Sequence, residues 1–195
     1  MDARYLKAAT VLPRQEKVCG RTLRPFCLRH RLCLEAVKSP FIQQKVAKIT
    51  PFDIVMAARI MATHDMQKVV EPVSYRERLW MAWMAIFPSK AVDAAKKLFG
   101  NILNSCSYPK LWKKEDGKRG HEKVPWILTC VAHLTRNGFT SEEAWTMPEG
   151  EAIWITIANA IADGNKIEVL STDEEEALKH HDAIIEAYKK RMGKN

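Results

Sequence analysis

Apolar residues in this chain recur at three- and four-residue spacing and almost nowhere alternate strictly, which predicts helices throughout. The clearest stretch is 140–188. Thr140 and Glu143 have capping-box spacing, and Pro148 has the fixed φ that suits a first helical turn. Ile153, Ile157 and Ile161 then repeat every four residues, flanked by Trp154 and Ala158, until Asp163-Gly164 supplies a stop. A last helix opens on Ser171-Thr172-Asp173-Glu174-Glu175-Glu176, where carboxylates favour the positive end of the helix dipole. Its narrow apolar stripe is Leu178, His181, Ile185 and Tyr188, a candidate helix-pairing seam.

Upstream, residues 1–24 read as irregular and basic, with a short strand or turn around 18–23. Pro25 begins a helix that ends before Pro40, with Arg31, Glu35 and Lys38 on one side as a solvated face. Thr50 caps the next helix, Pro51 enters its first turn, and Asp53 suits the dipole. Its continuation IVMAARIMA is apolar nearly all round, as a buried central helix is. Residues 75–87 form a third helix, apolar on most sides after Arg76-Glu77-Arg78. Residues 89–106 are amphipathic, with Val92, Ala95, Phe99, Ile102, Leu103 and Cys106 facing the core and Asn101 the solvent. A helix over 123–136 ends at Asn137-Gly138. The expected architecture is all-α: a single compact bundle of seven or eight helices spanning 1–195, with a long basic loop at 107–122. If the chain has two subdomains, that loop divides 1–106 from 123–195.

Composition narrows the class. At 195 residues, 47% hydrophobic and 28% charged, the chain can bury one sizeable core and is not of disordered type. The longest apolar run, LWMAWMAIF, is too short to span a bilayer. The N-terminus lacks a signal-peptide pattern, and five cysteines do not form a paired framework, so a reducing cytoplasm with free thiols is expected. Charge is uneven: residues 1–139 hold 25 of the 31 Lys and Arg and 11 of the 23 Asp and Glu, a net +14, while 140–195 carry −6. Either the acidic part folds back on the basic body or the body meets an anionic partner.

Chemical motifs are sparse. No P-loop, G-x-G-x-x-G, G-x-S-x-G or H-E-x-x-H pattern is present, so no catalytic residue or cofactor is expected. Cys27, His30 and Cys33 lie at i, i+3 and i+6, with Cys19 a fourth candidate ligand. Without a C-x₂-C knuckle the cysteines read as small core residues, and no metal is expected. His64-Asp65 reads as a helix end. Lys110, Lys113, Lys114, Lys118 and Arg119 surround Trp112, a composition able to hold phosphates and stack a base, and this makes nucleic-acid binding the alternative function.

Two stretches resemble tail assembly chaperone-like proteins of tailed bacteriophages and prophages. The first is 23–41, LRPFCLRHRLCLEAVKSPF, with a Leu-Arg-Pro-aromatic start, a His, a Leu-rich helix and a closing Ser-Pro-Phe. The second is 144–154, AWTMPEGEAIW, where Trp145, Met147, Pro148, Gly150 and Ala152 follow a similar Trp-x-Met/Leu-Pro-x-Gly-x-Ala pattern. Cys27, Cys33, Arg29 and Arg31 depart from the more neutral pattern of that family. The resemblance implies a small helical, non-enzymatic protein of the bacterial host cytoplasm. It would hold the aggregation-prone tape-measure protein during tail assembly and be absent from the mature virion. The expected partner contacts are Trp80, Trp83 and Met84, together with Trp145, Met147 and Trp154 at the Pro148 corner.

Overall fold

A computed structural model describes residues 3–10, 16–43, 48–111, 125–171, 173–178 and 180–181. The named elements run α1 (Ala3–Ala9), β1 (Lys17–Val18), β2 (Arg21–Thr22), α2 (Leu28–Ala36), α3 (Pro51–Met61), α4 (Met66–Val70), α5 (Tyr75–Ile86), α6 (Pro88–Ser105), α7 (Trp126–Arg136), α8 (Ser141–Thr146) and α9 (Glu149–Ala162). The fold is predominantly helical, as expected. Among the described residues, the nine named helices exceed the seven or eight anticipated. The start of the chain, read as irregular, contributes α1, and the short α4 intervenes after α3. β1 and β2 form an antiparallel hairpin across Cys19-Gly20, whose positive φ values of 50° and 72° suit the twist of a two-residue turn.

Local chemistry sets the helix boundaries. Thr50 and Asp53, Ser74 and Glu77, and Thr140 and Glu143 each form a reciprocal capping box. Gly138 and Gly164, at φ 96° and 86°, follow the last turns of α7 and α9.

Two apolar clusters fill the interior. The first surrounds α3, whose Ile54, Val55, Ala57, Ala58, Ile60 and Met61 are buried against α2, α5 and α6. The second joins Ile127, Cys130, Val131 and Leu134 of α7 to Ala144 of α8 and Ala152 of α9. The division runs through α2: Cys33 and Leu34 pack in the first cluster, Leu28 and Leu32 in the second.

α3 is not wholly apolar. Arg59 is buried and forks onto Glu77 of α5, with Nε 2.7 Å from Oε1 and Nη2 on Oε2. Its remaining donors reach the carbonyls of Val69, Glu71 and Pro72, and Arg21 adds a 3.0 Å contact to Glu77. Thus α5 buries the Glu77 carboxylate of its polar opening Arg76-Glu77-Arg78. The core face of α6 also differs from expectation. Leu98, Asn101, Ile102 and Ser105 are buried, while Val92 and Leu103 are exposed. The tail of α6 packs where polar groups are needed: Ser105 Oγ accepts from Phe26 N and donates to the Asn101 carbonyl, each at 3.0 Å.

Candidate partner-binding surface

The two family-like stretches meet in space. Cys27 and Pro148 form an antiparallel bridge, and Glu149 N donates to the Phe26 carbonyl at 3.0 Å. Arg31, expected on a solvated face with Glu35 and Lys38, instead turns inward. Its Nε lies 2.6 Å from Oε2 of the fully buried Glu149, its Nη2 donates to Tyr108 Oη at 3.1 Å, and Tyr108 donates in turn to Glu149. The Arg31 guanidinium also lies over the rings of Phe26 and Trp126. Burial pushes the Glu149 carboxyl above its usual range despite Arg31 and Tyr108. Two residues earlier, Arg29 forks onto Glu142, at 2.9 and 2.6 Å.

This corner is therefore a packed joint. Trp145 and Met147 are half-buried against the second cluster. Trp154 donates from Nε1 to the Ser107 carbonyl at 2.8 Å and meets Tyr5 edge to face. All three are partly buried by intramolecular packing, and Trp145 also lines an open pocket.

The α5 residues differ. Met84 is 2% exposed and belongs to the core, so it offers no contact surface and that expectation is corrected. Trp80 is half-buried against the same cluster, and Trp83 is 38% exposed. Tyr75, Leu79, Trp83 and Ile86 follow one another at helical spacing along the outer face of α5. Tyr75 is 75% and Ile86 70% exposed. Trp80 and Trp83 meet edge to face at 5.3 Å, and Trp83 meets Phe87 at 6.0 Å. Arg76, Leu79, Trp80 and Trp83 line an open, mostly apolar pocket of about 470 Å³. Trp80 and Trp83 are among the contacts expected from the sequence; Tyr75, Leu79, Ile86 and Phe87 are not, although the last three belong to the apolar run LWMAWMAIF. Buried Met84 and Glu77 point the other way, so this apolar stripe had to lie outside.

The basic candidates divide. Lys110 is exposed and paired with Glu175, which also binds Arg4 at 3.2 Å. Trp112, Lys113, Lys114, Lys118 and Arg119 lie outside the described residues, as do Ile185 and Tyr188 of the expected seam. Elsewhere the acidic part folds onto the basic body through Arg29–Glu142, Arg31–Glu149 and the Glu175 contacts. The five cysteines are free thiols. Among the described residues no helix is long and apolar enough to cross a membrane. The chain matches no family model, no curated protein and no solved structure.

Proposed function

We propose that this chain is a non-catalytic assembly chaperone that covers an apolar helical segment of a client. The proposed client is the tape-measure protein of a phage tail, encountered in the host cytoplasm before the particle is complete. The observation that carries the reading is the open stripe Tyr75–Leu79–Trp83–Ile86, continued by Phe87. A contiguous apolar face on one helix suits the groove-and-helix mode of recognition, and aromatic rings supply area at low entropic cost. Covering each of these side chains contributes about 1–2 kcal/mol before association costs. Pairing of Arg29, Arg31, Arg4 and Lys110 with internal carboxylates favours this reading over nucleic-acid binding, because those cations are already engaged.

The test is co-expression with a long helical tape-measure protein of a tailed phage, followed by pull-down through the chaperone. Retention of the client and a gain in its solubility are expected, and both should be lost in Leu79→Lys and Ile86→Lys with the fold intact. A soluble client that never co-purifies would count against the proposal. So would tight DNA binding with a steep salt dependence.

A further inference from the structure

We propose that Cys27, His30 and His64 form a zinc-class metal site with an open fourth coordination position. The site is distinct from the α5 stripe. Each residue offers one ligand atom, and these atoms lie within 4.8 Å of one another. A tetrahedral Zn²⁺ sets neighbouring N and S ligands roughly 3.4–3.6 Å apart, from Zn–N near 2.0–2.1 Å and Zn–S near 2.3 Å. Closure of about 1 Å completes the site. The shift falls to the side chain of His64, half-buried in the connection between α3 and α4.

The ligands are already held in register. Cys27 is the N-cap of α2, its thiol facing the backbone N–H groups of Arg29 and His30, and His30 lies one turn later at the third helical position. His30 Nε2 lies 3.1 Å from the Thr63 carbonyl. A carbonyl only accepts, so Nε2 carries the proton and Nδ1 presents its lone pair. This is the outer-shell bond that usually orients a metal-bound imidazole. Arg29 Nη1 donates to the His64 carbonyl at 2.9 Å, tying the same connection to α2.

Spare bonding capacity converges at this point. His30 Nδ1 and His64 Nε2 are both buried without a hydrogen-bond partner, and His30 is 1% exposed. His30 Nδ1 presents an unpartnered lone pair beside the buried Cys27 thiol, and His64 Nε2 does the same in its Nδ1–H tautomer; a borderline-soft cation accepts all three. The two rings stand 5.1 Å apart. The adjacent Arg29 charge is matched by Glu142, and Arg24 is exposed to solvent. His64 also lines an open pocket with Arg29, Leu32, Asp65, Met66 and Trp145. Through that side a water or small donor completes the coordination. Binding exchanges the thiol proton of Cys27, released to solvent, for a thiolate–metal bond.

Cys33, at i+6 from Cys27, donates instead to Met66 Sδ at 3.5 Å. That contrast gives the control. Full-length chelator-treated protein is titrated with Zn²⁺ and, as an optical probe, Co²⁺. One equivalent should bind, with a thiolate-to-cobalt charge-transfer band and release of one proton. Cys27→Ser should abolish the band, and His64→Gln, which removes a ligand itself, should weaken Zn²⁺ binding by more than the roughly 100-fold upper end of an outer-shell loss, whereas Cys33→Ser and Cys19→Ser should change neither. If Cys27→Ser does not fold, His64→Gln, altered only on the connecting segment, decides the matter against Cys33→Ser. Absence of stoichiometric binding would overturn the proposal. So would unchanged affinity in His64→Gln, or a band that survives Cys27→Ser and disappears in Cys33→Ser.

Discussion

Arg31 and Glu149 lie 118 residues apart and form an ion pair of 2.6 Å, with the carboxylate fully buried. The pair ties the start of α2 to the start of α9, and with it the two family-like stretches. Buried charges are held by their partners, and removing one strands the other. Glu149→Gln should therefore cost about 3–5 kcal/mol in urea denaturation, and the double variant Arg31→Met with Glu149→Leu should recover most of it. A Glu149→Gln loss below about 1 kcal/mol would mean that Tyr108 and water already satisfy Arg31.

Glu77 makes stability depend on acid. Burial alone would raise its carboxyl, but Arg59 and the Ser74 backbone and hydroxyl outweigh that and pull it down to about 2 from an ordinary 4.5. Arg21 faces the same oxygen as Arg59 Nε. A folded-state pKa below the unfolded one gives stability that is present above the unfolded value and lost as pH falls through the folded one. The gap in urea midpoint between the natural protein and Glu77→Gln should be full above pH 4.5 and shrink between 4.5 and about 2. A constant gap across that window would refute the ion-pair account.

The caps at Thr50 and Thr140, and the stops at Gly138 and Gly164, were legible because each depends on residues within one turn. The Ser74–Glu77 box has the same spacing, yet its burial depends on Arg59 of a different helix. Asn101 reads as solvent-facing because it is polar. It is buried because α6 is rotated so that Ser105 can serve Phe26. Cys27 and His30 were visible as a pair, but nothing near His64 in the sequence points to them across 34 positions. Arg31 was misread for the same reason, since its partner in the chain was Glu35 and its partner in space is Glu149.

Ser105 is the polar hinge of that rotation. Its hydroxyl is the acceptor for the buried Phe26 N–H. Ser105→Ala leaves this donor unsatisfied, and should cost about 1–3 kcal/mol. Ser105→Thr keeps the hydroxyl and separates a lost hydrogen bond from a packing effect. If Ala and Thr destabilise equally, the bond is not what matters.

Two glycines should respond to alanine with opposite signs. At Gly150 an added Cβ would sit 2.8 Å from the Ser105 carbonyl oxygen and 2.9 Å from Ser107 N, both backbone atoms that no rotamer change can move. The N-terminus of α9 must then retreat from the end of α6, weakening the joint that Arg31 and Glu149 hold. Overpacking of this kind costs about 1–3 kcal/mol. For a chain of this length that lowers the melting temperature by about 2–12 °C. Gly100 lies within α6 with nothing near the added methyl. There alanine only reduces the freedom of the unfolded chain and should stabilise by about 0.5–1 kcal/mol, raising the midpoint by roughly 1–4 °C. Calorimetry of the two variants compares the same substitution in crowded and open surroundings. Equal shifts would show that helix propensity, not the close approach of α9 to α6, sets the requirement for glycine at position 150.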